Sequence, residues 1–139
     1  MAREPRRRRQ QISAQIVAQH HTLDQMVAVL GHAISSRLKP DARNAFGRFR
    51  SALSAHFALE QQFFLPLMHG AVDRERREVE RLVVAHERLT EELAQMSEQL
   101  ELLAPEDFSR RLKGFATALA THVNREEALL SSVLDAGAT

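Results

Sequence analysis

Six residues with side chains able to hold a metal recur at fixed intervals in this chain: His20, His56, Glu60, His86, His122 and Glu126. They form two copies of one pattern, a histidine followed 36 residues later by His-x-x-x-Glu. A shift of 66 positions lays His86 on His20, His122 on His56 and Glu126 on Glu60. The apolar neighbours keep the same register, with Val83 on Val17, Leu89 on Leu23, Phe115 on Phe49, Leu119 on Leu53 and Leu130 on Phe64. Histidine and glutamate at i and i+4 project from one helix face. Imidazole nitrogen and carboxylate oxygen together suit iron, zinc, copper or manganese. A single histidine on an apolar stripe is ordinarily a buried polar residue and nothing more. Four of them with two carboxylates, desolvated without compensation, would cost many kcal/mol. The pattern therefore predicts a metal centre, and its duplication predicts two ions.

The elements that must position these residues are helical. The 139 residues fit one domain, 44% apolar and 27% charged, with only five glycines and four prolines. Alanine, leucine, glutamate, glutamine and arginine dominate, and all favour helix. Cysteine is absent, which excludes disulfides, thiolate zinc sites and iron–sulfur clusters. Tyrosine and tryptophan are absent too, which excludes radical relay through such side chains.

Four amphipathic stretches follow from the periodicity. The first, about Gln11 to Leu38, sets Ile16, Val17, Leu23, Val27, Leu30 and Ile34 on one face with His20. His21 is turned by about 100° from it, and His32 lies more than three turns away, so His20 is the expected ligand. Lys39-Pro40-Asp41 breaks the helix, and Asp41 is placed to cap the next. The second, about Asp41 to Met68, aligns Phe46, Phe49, Leu53, His56, Glu60, Phe63 and Phe64, with Pro66 near its end. Gly70 is suited to its cap, and His69 reads as a histidine favourable to the helix dipole. The third, about Val72 to Leu103, opens in a charged stretch expected to form a solvated, i,i+4-paired face. It then aligns Val79, Leu82, Val83, His86, Leu89, Leu93, Met96 and Leu100. Ala104-Pro105-Glu106-Asp107 is a helix start, and the fourth runs to about Leu134 with Leu112, Phe115, Leu119, His122, Glu126, Leu129 and Leu130 inward. Gly31, Gly47 and Gly114 fall inside these helices, where close helix approach is one explanation. Four long helices joined by short loops predict an all-α, antiparallel up-down-up-down four-helix bundle.

Outside the bundle, taken as residues 11–134, residues 1–10 read as a disordered basic arm and 135–139 as a frayed tail. Residues 1–9 carry five arginines and one glutamate, a net of +4 against +1 for the whole chain, so the rest carries −3. Without aromatic interleaving and with a mildly acidic body behind it, Arg6–Arg9 is a weak case for nucleic-acid binding. No apolar run reaches the length of a membrane span, and the arginines are not followed by a signal-like stretch. The expected compartment is the cytoplasm.

The order H…H-x-x-x-E…H…H-x-x-x-E, with the segment His56-Phe-Ala-Leu-Glu60-Gln-Gln-Phe-Phe-Leu-Pro66, resembles the hemerythrin-like family of HHE cation-binding domains. The resemblance covers about residues 12–134. It implies a non-haem di-iron centre with an oxo or hydroxo bridge, serving oxygen carriage, oxygen or redox sensing, or iron handling. It further implies that His20 and His56 serve one iron, His86 and His122 the other, and that Glu60 and Glu126 bridge. The chain departs from the oxygen-carrying members, which have a fifth histidine where this chain has Leu82. They commonly bridge with an aspartate where it has Glu127, although Glu126 is the better placed bridge here. The implied centre is more symmetric, with two histidines per iron and room for dioxygen, peroxide or nitric oxide. The expected lining of Leu23, Phe49, Leu53, Leu82, Leu89, Phe115 and Leu119 admits small neutral molecules. The readings left open are a binding or sensing protein, an enzyme that decomposes peroxide or reduces nitric oxide, an iron-handling domain, and a DNA-associated regulator.

Overall fold

A computed structural model describes residues 3–67 and 72–137 of the chain. Four helices account for nearly all of them: α1 (Arg3–Ser35), α2 (Lys39–Leu67), α3 (Asp73–Leu102) and α4 (Pro105–Gly137). Among the described residues there is no strand, and no helix is long and apolar enough to cross a membrane. Each helix packs on two neighbours, α1 on α2 and α4, and α3 on α2 and α4. With links this short, consecutive helices must run antiparallel, which gives the up-down-up-down bundle.

Several boundaries differ from those read in the sequence. Helix α1 begins at Arg3 rather than near Gln11, so the arginine run forms exposed turns of α1. Arginine and glutamine are good helix formers, and Pro5 lies in the first turn, where its missing N–H costs nothing. The same helix stops at Ser35, three residues before Leu38. Arg37 adopts a left-handed conformation (φ 58°). The Leu38 N–H bonds to Ala33 O and the Arg37 N–H to Ile34 O, each at 3.1 Å. This pair of bonds is the Schellman termination, here with arginine at the position glycine usually takes. Asp41 therefore sits inside the first turn of α2 and is not its cap. Helix α4 runs to Gly137, past the expected Leu134. The expectations for His69 and Gly70 lie outside the described residues. In the charged opening of α3 the ion pairs are spaced i,i+3, Arg76 with Asp73 and Arg81 with Glu78.

The four stripes meet along the bundle axis. Phe49 and Phe115, one repeat apart in sequence, are both fully buried and meet edge to face with centroids 6.0 Å apart. The apolar core is divided in two. A larger cluster, from Leu23 and Leu89 to Phe46 and Phe108, occupies the end of the α1–α2 and α3–α4 turns. A smaller one, built from Ile16, Phe63, Phe64, Val79, Leu82, Leu129, Leu130 and Val133, occupies the other. Between them lies a layer of buried histidine and glutamate. At 1.5 Å per residue the helices are about 45 Å long, and the layer crosses each of them near its middle.

The interior glycines do not mark close helix contacts. A methyl group at Gly47 or Gly114 meets nothing within 4 Å, and at Gly31 only Leu112 Cδ2 at 3.8 Å. Both Gly47 and Gly114 are solvent-exposed. Alanine at either should therefore stabilise the protein by up to about 1 kcal/mol through helix propensity and a smaller unfolded-state entropy. Denaturant unfolding of Gly47→Ala and Gly114→Ala should show an upward midpoint with unchanged slope.

Candidate metal centre

Each helix contributes to the buried polar layer by the face it already turns inward. On α1, His20 continues the line of Ile16 and Leu23. On α3, His86 stands between Leu82 and Leu89. The i,i+4 spacing on α2 and α4 stacks His56 over Glu60 and His122 over Glu126. All six side chains are buried, and Glu60 and Glu126 are 0% exposed.

The geometry sorts them into two overlapping sets. His20, His56, Glu60 and Glu126 bring one donor atom each within 4.8 Å of one another, and so do Glu60, His86, His122 and Glu126. The imidazoles pair by repeat. Ring centroids are 4.7 Å apart in both pairs, with interplanar angles of 69° for His20–His56 and 75° for His86–His122. Each carboxylate faces both pairs. Glu60 Oε1 lies against His56 Nε2 and 3.5 Å from His20 Nε2, while its Oε2 is 2.7 Å from His86 Nε2. Glu126 Oε1 is 3.2 Å from His122 Nε2 and 3.6 Å from His20 Nε2, and its Oε2 is 3.9 Å from His86 Nε2.

These converging atoms have no hydrogen-bond partners. The four Nε2 atoms and all four carboxylate oxygens of Glu60 and Glu126 are buried and unsatisfied. Together with His86 Nδ1 they are the only such side-chain atoms among the described residues. Buried polar atoms are ordinarily paired, and an orphan costs about 1–3 kcal/mol or more. A cluster of inward lone pairs is what a cation needs and what a core otherwise avoids. The donor set, nitrogen with oxygen and no sulfur, fits first-row transition ions.

The outer imidazole nitrogens are treated differently. His20 Nδ1 donates to Glu127 Oε1 at 3.0 Å, and His56 Nδ1 donates to Gln19 Oε1 at 2.7 Å. Both acceptors hold their rings with the Nε2 lone pair turned inward. Sequence reasoning gave neither residue this role. The 66-residue shift hides Gln19, because its counterpart is Ala85. Glu127 is 40% exposed and outside the layer, whereas its neighbour Glu126 is inside it. Phe57 was also missed as an inner residue. It is buried and stacks on His86 with centroids 4.1 Å apart and an interplanar angle of 16°. The run Leu53, Phe57, Glu60, Phe64 has helical spacing and carried that signal. Leu82 is buried where a fifth histidine would stand, and His21 and His32 are exposed and take no part.

The layer couples strongly to protons. Burial alone would lower the pKa of His20, but the carboxylates of Glu126, Glu60 and Glu127 outweigh it and raise it to about 10. Burial opposed by Glu126 and Glu60 likewise leaves His86 raised, to about 8. Burial alone would raise the Glu126 carboxyl, but the imidazoles of His122, His20 and His86 hold it well below the ordinary carboxylate range.

The hemerythrin HHE cation-binding domain, as a family model, matches residues 11–134. Comparison with curated proteins and with solved structures finds no match.

The pKa shifts give the metal-free protein a defined pH profile. His20 and His86 bind protons more tightly folded than unfolded, where imidazole titrates near about 6.5. Their contribution is fully present below that value and is lost as pH rises through about 8 for His86 and about 10 for His20. Glu126 has the opposite sign, and its contribution is lost as pH falls below the ordinary carboxylate value. The melting midpoint of chelator-treated protein should therefore be highest between about pH 5 and 6.5 and fall toward pH 10. A midpoint that climbs from pH 6 to pH 9 contradicts this balance of charges.

Proposed function

Because the chain belongs to the hemerythrin HHE cation-binding domain family, we propose that it holds two iron ions and uses them to bind or sense dioxygen or a related small ligand such as peroxide or nitric oxide. The observation that carries this reading is the pair of four-residue sets sharing Glu60 and Glu126, with their inward atoms all orphaned. His20 and His56 would hold one ion and His86 and His122 the other, with the two carboxylates between them. Each ion would take four protein donors, fewer than a six-coordinate ion accepts, so a small ligand could bind beside them. Such a pair supplies reversible ligand binding with electron exchange.

The chain's own residues restrict what reaches the centre. With Leu82 in place of a further histidine, each ion would have two imidazole donors and both could accept a ligand. The two apolar clusters close the layer at either end of the bundle, which blocks entry of water and large charged substrates along the bundle axis. Phe57 shields His86 by stacking on it. Glu127 and Gln19 hold the His20 and His56 rings in the tautomer that presents Nε2 inward.

Protein purified with its native metal should contain about two irons per chain, and its electronic spectrum should change reversibly on exposure to dioxygen, nitric oxide or peroxide. Glu60→Ala and Glu126→Ala should each lower the iron content and remove the spectral signature of a coupled pair while the helical content is kept. One ion per chain at saturation, or another metal at full occupancy, overturns the di-iron reading. Sustained consumption of peroxide at many turnovers overturns binding in favour of an enzyme.

A further inference from the structure

The two halves of the centre match in their inner donors and differ in what stands behind them. The 66-residue shift relates His20 to His86, His56 to His122 and Glu60 to Glu126, but it relates Gln19 to Ala85 and Glu127 to Gln61. In the first half both outer nitrogens are held, His20 Nδ1 by the Glu127 carboxylate and His56 Nδ1 by the Gln19 amide oxygen. In the second half Ala85 offers no acceptor to His122, and His86 Nδ1 is buried without a partner. Gln61, where the repeat places the counterpart of Glu127, makes no hydrogen bond to it. What His86 has instead is Phe57 stacked on its face, and the repeat puts Val123 in the equivalent place beside His20. A cleft of about 510 Å³ between α2 and α3, lined in part by Phe57, Gln61, His86 and Glu87, reaches the second half from the surface.

An acceptor behind a ligating imidazole fixes its tautomer and rotation and makes it a better donor, and an anionic acceptor does so more than a neutral one. Loss of such a partner typically weakens metal binding about 10–100-fold. We propose that the two metal positions are unequal in affinity, that the His20–His56 position fills first and empties last, and that Glu127 is the positioning residue chiefly responsible. The His86–His122 position is then the weaker and more exchangeable one, on the side where the α2–α3 cleft approaches. This rests on the dinuclear reading above and adds an order to it.

The test is a titration of the metal-free full-length chain with cobalt(II) at fixed pH, followed by calorimetry and by the visible absorption of the bound ion. Two steps are expected, separated by about tenfold or more in affinity. Glu127→Gln keeps the shape of the side chain and removes its charge; it should weaken the first step about 10–100-fold and leave the second within a few-fold. Gln61→Glu installs the missing carboxylate on the other side, and it should tighten the second step and narrow the gap. A purely structural role for Glu127 would lower both steps together with the melting temperature, and that result overturns the proposal. So does wild-type binding of two ions with equal constants. Saturation at one ion per chain sinks the dinuclear reading itself, so the two failures are told apart by stoichiometry.

Discussion

The structure depends on one unfavourable arrangement: eight buried donor atoms, four imidazole nitrogens and four carboxylate oxygens, converge on one another and can be satisfied only by a proton or a cation placed among them. In a low-dielectric interior such a cluster is tolerable only if positive charge sits within it. Without a metal, proton binding is the available source: the carboxylates hold His20 and His86 raised, and the imidazoles hold Glu126 depressed. A metal ion would supply it better, because one ion can satisfy several lone pairs at once. Folding, protonation and metal uptake would therefore be linked through the same atoms.

The rest of the bundle makes that arrangement affordable. The polar layer crosses the middle of the helices, with an apolar cluster on each side, so the burial of Phe49, Phe115, Phe108 and Met96 at one end and Ile16, Phe64 and Leu130 at the other offsets the desolvation. Rigid helices also suit the task. A side chain on a helix interior is held by its own hydrogen-bond ladder and by close-packed neighbours, so the donors are set before an ion arrives. The duplication economises further, since one helical hairpin repeated places both carboxylates on the axis where each faces both histidine pairs.

Internal repetition also makes departures from it visible. The inner donors obey the 66-residue shift without exception, whereas the residues behind them do not. Glu127 against Gln61 and Gln19 against Ala85 leave chemically equal donor sets in unequal surroundings. Phe57 and Val123 add a difference in ring stacking. Near-symmetry in the inner donor atoms is thus compatible with two distinct surroundings.

What the sequence determined by itself was whatever helical periodicity encodes. The bundle, the four inward stripes, the inward face of His20 rather than His21, and the shared faces of His56 with Glu60 and His122 with Glu126 all follow from angles of about 100° per residue. The helix ends were less legible, because they depend on local details such as the left-handed Arg37 and on a polar run at Arg6–Arg9 that has no breaker within it. Only the tertiary structure decided which side chains meet across helices. It put Glu126 inside the layer and Glu127 outside against His20, brought Gln19 to His56, laid Phe57 on His86, and left Gly47 and Gly114 facing open space. Periodicity along one helix fixes the face a residue occupies; the rotation and depth of the neighbouring helix decide what that face touches.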